Sequence, residues 1–381
     1  MNKFQSIYDK PSQGVFYSPF NIQIGSMEKL ILINIGDDPD KYYKEFEIQQ
    51  VIADNNKKLL VIAYRIDGAI DIYHQPDYPL DSQSSVFAEL DVFARSMSDA
   101  EFEVTPERLE VYMSFKDRYN RDIELKVIES NRQTKKPFSI LAPIGGGSEK
   151  PLSLPVYILY EMAFTRKAYT DISVQVDGAL YQPSTMPLPV DFARNYLTRY
   201  SADTFIVDWN QNYDGYLTAL NPDSTNKVEN QGIRYELDNN NGHYEIRGMS
   251  VENDKHKINI DFSPALPDFL CLKDNISLQG EFIISAHKSI GTIKGVYKII
   301  RKQNKVFLSI VPDKGWIPKE KKLSMKLFYL LAPFFKKWPS TFIWKAEVDF
   351  SDAGNPEIKS GWKRVEGYKE KLNSGFFKMD I

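Results

Sequence analysis

Cysteine is almost missing: Cys271 stands alone among 381 residues, so no disulfide can form within the chain. Stapled scaffolds are excluded, and the simplest setting is a reducing compartment. Histidine is nearly as scarce. His74, His243, His256 and His287 are the full set, and none has H-E-x-x-H or another close ligand spacing. No metal and no cofactor is expected on this basis. No window reaches the ~18–20 consecutive apolar residues of a membrane-spanning helix. The opening residues, MNKFQSIYDKPSQGVF, lack the apolar core of a secretory signal, which points to a cytoplasmic protein. Excess positive charge is absent too. A formal net charge of −3 and a pI near 6.0 exclude the basic footprint of a nucleic-acid binder.

Familiar catalytic motifs are also lacking. There is no G-x-S-x-G and hence no nucleophile elbow. The stretch APIGGGSEKP (Ala142–Pro151) has the glycines of a phosphate loop without the G-x-x-x-x-G-K-[ST] spacing. Pro151 and Pro155 oppose the helix such a loop would need, so it reads as a surface loop.

What the chain does hold is strand signal. Aromatic residues make up 13 %, a composition that suits pleated sheets and cavities for apolar ligands. More than a dozen runs alternate with turn residues, among them KLILINI, FEIQQVI, DIELKVI, GEFIISA and KVFLSIV. Lys58–His74 reads as a hairpin around a two-residue Asp67-Gly68 turn. That register pairs Tyr64 with Asp71 and Ile62 with Tyr73. It puts His74 on a face with Val61, Ala63, Ile70 and Ile72. Gly232–Phe262 reads as a three-stranded meander with Ile233, Tyr235, Leu237, Tyr244, Ile246, Ile258, Ile260 and Phe262 on its apolar positions.

Leu109–Val127 lies over Tyr244–Phe262 without a gap, and each half carries a later apolar run followed by a strand. This echo suggests two copies, residues 1–200 and 201–381. An accidental match of two hairpins is the alternative, because period two is common.

The best polar cluster is Tyr64, Asp71, Tyr73 and His74, with His256 on the parity of Ile258 and Ile260. Such groups inside a barrel would bind the polar end of a ligand or act as an acid. Histidines of this kind more often serve as hydrogen-bonded core residues.

One stretch breaks the polar alternation: KKLSMKLFYLLAPFFKKWPSTFIW, from Lys321 to Trp344. Read as a helix over 323–338, it gathers Leu323, Leu327, Leu330, Leu331, Phe334 and Trp338 on one face. Lys322, Lys326, Tyr329, Pro333 and Lys337 fall opposite. Leu327, Leu331, Phe334 and Trp338 are thus expected to close over the protein's own barrel as a lid. Insertion into a membrane surface is the less favoured alternative.

Two all-β halves, each with an apolar segment before a last strand, resemble the calycins. More narrowly, they resemble the tandem lipocalin-like proteins that include the carotenoid hydratases. The lipocalin G-x-W signature is absent, and no catalytic acid carries over. The resemblance implies an all-β fold with minor helix, two antiparallel β-barrels in tandem, and a cavity for an apolar molecule. The expected function is binding of a hydrophobic or amphiphilic small molecule or lipid. Two alternatives stay open. One is a hydratase, cyclase or isomerase using Asp71 or His74 as the acid on a polyene-like substrate. The other is a non-catalytic interaction or carbohydrate-binding protein.

Overall fold

The computed structural model describes residues 6–76, 78, 92–97, 99–132, 137–141, 151–186, 194–287, 290–319, 321–352 and 354–364. The glycine-rich stretch 142–150 lies outside them. Strands dominate, as expected. The first half contributes β1 (Phe16–Tyr17), β2 (Ile22–Ile24), β3 (Met27–Asn34), β4 (Tyr43–Ala53), β5 (Asn56–Arg65), β6 (Ile70–His74) and β7 (Val92–Ser96). It continues with β8 (Asp99–Val104), β9 (Leu109–Lys116), β10 (Asp122–Glu129), β11 (Phe138–Leu141), β12 (Leu154–Arg166), β13 (Thr170–Val176), β14 (Ala179–Tyr181) and β15 (Asn195–Trp209). The second half holds β16 (Tyr213–Tyr216), β17 (Ala219–Leu220), β18 (Lys227–Asn230), β19 (Ile233–Asn240), β20 (His243–Glu252) and β21 (Lys257–Leu266). It ends with β22 (Ser277–Ser285), β23 (Thr292–Lys302), β24 (Lys305–Ile317), β25 (Phe342–Asp349) and β26 (Glu357–Arg364). Two short helices, α1 (Leu323–Leu331) and α2 (Phe334–Lys337), link β24 to β25.

Three sheets carry the fold. A central sheet runs β11-β12-β15-β3-β4-β5-β6-β7, with β2 also on β15. An outer sheet runs β14-β13-β10-β9-β8, and a long sheet runs β16-β26-β25-β24-β23-β22-β21-β20-β19-β18. The central sheet is buried on both faces. Ile31, Ile33, Phe46, Ile48, Val61 and Ala63 join a core with Val111, Met113, Leu125 and Val127 of the outer sheet. Leu30, Leu32, Leu60, Ile62, Ile70 and Ile72 share a second core with the inward residues of the long sheet. Two-sided burial explains why β5 reads as the unbroken apolar run LLVIA.

The long sheet curls around aromatic residues from the first half. Phe20 stacks on Phe262 of β21 at 5.5 Å and meets Trp344 of β25 at 5.6 Å. Those two rings are thus no farther apart than about twice that separation. In a flat sheet, four strand spacings would part them by ~19 Å. Trp209, at the end of β15, enters the same interior against Phe282 and Trp362, and the Trp362 indole donates to its carbonyl at 2.9 Å. The curl does not close by hydrogen bonding: among the described residues β16 and β18 remain the edges.

The two halves differ in sheet order, and β15 runs unbroken through residue 200 to Trp209. The hairpin echo also fails in register. Lys116 opposite Asp122 would place Val251 opposite Lys257, yet Glu252 stands there. An irregularity between Ile246 and Gly248 shifts the inward positions of β20 to Met249 and Val251.

The first hairpin is displaced by one residue from its expected pairing. Tyr64 opposes Ile70, Ala63 opposes Asp71 and Val61 opposes Tyr73. A two-residue turn would need positive φ at both Asp67 and Gly68, and only Gly68 has it, at 87°. The loop instead has three residues. It is closed by Arg65 N–H to Ala69 O at 3.0 Å, while the Asp67 carboxylate accepts from the Ala69 N–H and pairs with Arg65. Because side chains alternate, the slip exchanges faces. His74 shares its face with Leu60, Ile62, Ile70 and Ile72, whereas Asp71 and Tyr73 point to the outer sheet.

Candidate functional site

The α1 segment forms a helix, but with the opposite face inward. Met325, Phe328, Tyr329 and Ala332 are buried, and Tyr329 meets the Trp316 ring edge-on at 5.1 Å. Leu323, Leu327, Leu330 and Leu331 are 82, 53, 70 and 48 % exposed. The lid reading therefore fails for Leu327 and Leu331. Phe334 is half-buried, and Trp338 is buried as expected. Both faces of this helix are apolar, so counting leucines could not choose between them. The aromatic face wins because Trp316 and the rings of Phe335 and Phe342 receive it and the segment after it. No acidic residue occurs from Lys321 to Ala346, while Lys321, Lys322, Lys326, Lys336, Lys337 and Lys345 do. Lys322 bonds the Pro137 carbonyl at 3.0 Å, which ties the start of α1 to the approach to β11. No helix among the described residues is long and apolar enough to cross a membrane.

Among the described residues three buried indole donors lack partners, those of Trp209, Trp338 and Trp344, and two of them meet Phe20 inside the long sheet. Trp209 and Trp344 are fully buried around Phe20, and neither Nε1–H has a hydrogen-bond acceptor. A buried donor left this way costs about 1–3 kcal/mol. An acceptor group brought into the interior would offset that cost.

The polar residues expected on one hairpin face divide between two environments. Asp71 accepts from Tyr43 Oη at 2.8 Å, and Tyr43 Oη lies 3.0 Å from Tyr73 Oη. Arg118 Nε sits 3.1 Å from Asp71 Oδ1, near enough for charge attraction but not aligned as a hydrogen bond. Arg65 approaches the same carboxylate at 3.8 Å. Beyond it, Arg121 bridges Asp40 and Asp117. Burial raises the Asp71 pKa, opposed by the Tyr43 bond and by Arg118 and Arg65. This cluster joins the central and outer sheets and resembles a structural network more than an open site.

Tyr64 does not meet Asp71. Its hydroxyl donates to Glu47 Oε2 at 2.7 Å, and Gln49 donates to the other oxygen. Glu47 was not singled out in the sequence, because FEIQQVI reads as an apolar strand. Period two is the signal that would have found it: Phe46 and Ile48 face the outer sheet, so Glu47 must face the second core. Burial raises its pKa despite both hydrogen bonds. Asp208, held by Ser153 at 3.0 Å, is raised for the same reason. Two carboxyl groups held toward their neutral form thus lie beside the apolar core between the central and long sheets.

His256 is placed by the β20–β21 turn. Its Nε2 lies 2.9 Å from both oxygens of Asp203 on β15, and its ring stacks on Tyr160 at 4.2 Å. It links two sheets. His74 is buried at the end of β6, with Nδ1 2.8 Å from the Gln75 carbonyl. The structure therefore does not bring Tyr64, Asp71, Tyr73, His74 and His256 together into one pocket.

Comparison with known proteins adds no relative: no family model, no curated protein and no solved structure matches the chain.

Proposed function

We propose that this protein binds a hydrophobic or amphiphilic small molecule of lipid type and meets it at an anionic lipid surface through α1. The observation that carries this reading is the exposed leucine face of α1, set in a stretch with six lysines and no acidic residue. A helix with leucines outward and lysines flanking it along the chain suits a headgroup boundary, with apolar side chains in the acyl region and ammonium groups near phosphates. The orphan indoles of Trp209 and Trp344 support a place for the ligand's polar end inside the curled sheet. That sheet is also what supports a lipocalin-like reading of the second half. Extraction of lipids from purified protein, followed by native mass spectrometry, tests the proposal. Wild-type protein is expected to carry an amphiphile, and Trp344→Phe is expected to carry less. Protein that is free of lipid and takes up none from micelles would refute it.

A second reading, acid catalysis on an apolar substrate, is favoured by Glu47 in place of Asp71 or His74. A buried carboxyl kept neutral can donate a proton to an alkene or alcohol. Turnover of a polyene or isoprenoid alcohol that Glu47→Gln abolishes, with lipid binding retained, would establish it.

A further inference from the structure

We propose that His243, Asp268 and Cys271 form a binding site for a zinc-class divalent cation beneath the N-terminal arm. None of these residues enters the reading above. Their positions follow from local chain geometry. Cys271 N–H bonds the Asp268 carbonyl at 3.1 Å, so the Asp-Phe-Leu-Cys turn brings both side chains to one side. Ile246 opposite Leu266 carries the β20 register on, so that His243 lies beside the residues just past β21. One ligand atom from each residue lies within 4.8 Å of the others, and all three residues are buried. Zinc bonds of 2.0–2.3 Å in a tetrahedron set ligands ~3.3–3.8 Å apart, so modest inward movement would complete the site. A thiolate, an imidazole and a carboxylate make the donor set that suits zinc over calcium or magnesium. The two-residue spacing Asp268-x-x-Cys271 matches the short chelating turns of zinc sites.

Burial works against the ionised ligands, and a bound cation would have to offset it. Burial, and next the Asp268 charge, push the Cys271 thiol up to about 12. Burial also raises Asp268, against hydrogen bonds from Cys271 and His243. The imidazole Nδ1 lies 3.2 Å from Asp268 Oδ2. A dication would let thiol and carboxyl ionise together, with the thiol proton released to solvent. Lys10 and Arg301 favour the thiolate through their positive charge near Cys271. The arm forms the roof. Tyr8 stacks on His243 at 3.9 Å, Tyr8 bridges Leu272, and Asp9 N–H bonds the Cys271 carbonyl. Cation binding would therefore fasten the arm to the long sheet.

The single cysteine makes the test unambiguous, since any thiolate–metal signal must come from Cys271. Full-length protein is stripped with chelator and titrated with Co²⁺. The expected result is a near-ultraviolet thiolate-to-cobalt band saturating at one equivalent, displaced by Zn²⁺. Zn²⁺ should also slow alkylation of Cys271 at least tenfold. His243→Gln should weaken Co²⁺ binding at least tenfold while leaving the circular dichroism of the sheets unchanged. Absence of the band in folded wild-type protein, or unchanged affinity in His243→Gln, would overturn the proposal. Should a variant fail to fold, the wild-type titration and the alkylation rate decide alone.

Discussion

The two faces of α1 make opposite demands, and a pair of substitutions separates them. Phe328 faces inward beside Tyr329 and Phe335. Truncating such a ring to alanine removes its transfer free energy and leaves a cavity, a loss of about 3–5 kcal/mol. Leu327 and Leu330 face outward. Leu327→Asp with Leu330→Asp removes little packed surface, because the two are 53 and 70 % exposed, so the loss of stability should stay within about 1 kcal/mol per site. Bilayer binding should respond in the reverse order. Full burial of a leucine contributes about 1.5–3 kcal/mol, and these two have roughly half and two-thirds of their surface to give. The double variant should thus lose about 2 kcal/mol or more of lipid affinity, at least ~20-fold. Thermal melting and vesicle partitioning on the same samples supply both readouts. A double variant that melts well below wild type would show that the leucines are packed and that the face assignment is wrong.

Other consequences follow from particular groups. The folded state holds the Glu47 proton more tightly than the unfolded chain does, because burial raises its pKa. Stability should therefore fall as pH rises above ~4.3, until the folded carboxyl itself ionises. Glu47→Gln removes this dependence, so its stability relative to wild type should rise between pH 4 and 7; a pH-independent difference would contradict the assignment. Asp71→Ala strands Arg118 and the Tyr43 hydroxyl, and should cost about 3–5 kcal/mol in denaturant melts without changing lipid binding. Trp344→Phe deletes a buried donor that has no partner, a gain of about 1–3 kcal/mol, but also shrinks a fully buried ring; the two effects oppose each other, so melting should change little. Gly315 has φ of 61° and abuts the Lys336 carbonyl, so Gly315→Ala should destabilise by more than about 1 kcal/mol and redden Trp338 fluorescence as α2 lifts.

Strands were legible because alternation and turn residues are local. The meander from Ile233 to Phe262 forms with Asn241 and Gly242 at positive φ, as its turn residues require. Register was less legible. Asp67-Gly68 fits both a two-residue and a three-residue loop, and the choice rests on the Arg65 pair with Asp67. Sheet order was not legible at all. The parallel pairing of β6 with β7 and the entry of Phe20 and Trp209 into the long sheet depend on distant contacts. The polar groups were found residue by residue but grouped wrongly, since a one-residue slip sends Tyr64 to Glu47 and leaves Asp71 with Tyr43. The cluster of His243, Asp268 and Cys271 escaped spacing rules because its imidazole comes from a neighbouring strand.

Vesicle flotation tests the central claim most directly. Wild-type protein is mixed at physiological salt with vesicles of phosphatidylcholine alone or with phosphatidylglycerol added, then centrifuged through a density gradient. The account predicts that wild type rises with the anionic vesicles and rises less as salt screens the lysines. The Leu327→Asp, Leu330→Asp variant should stay in the dense fraction while melting only slightly below wild type. Wild-type protein that stays in the dense fraction with both vesicle types would contradict it.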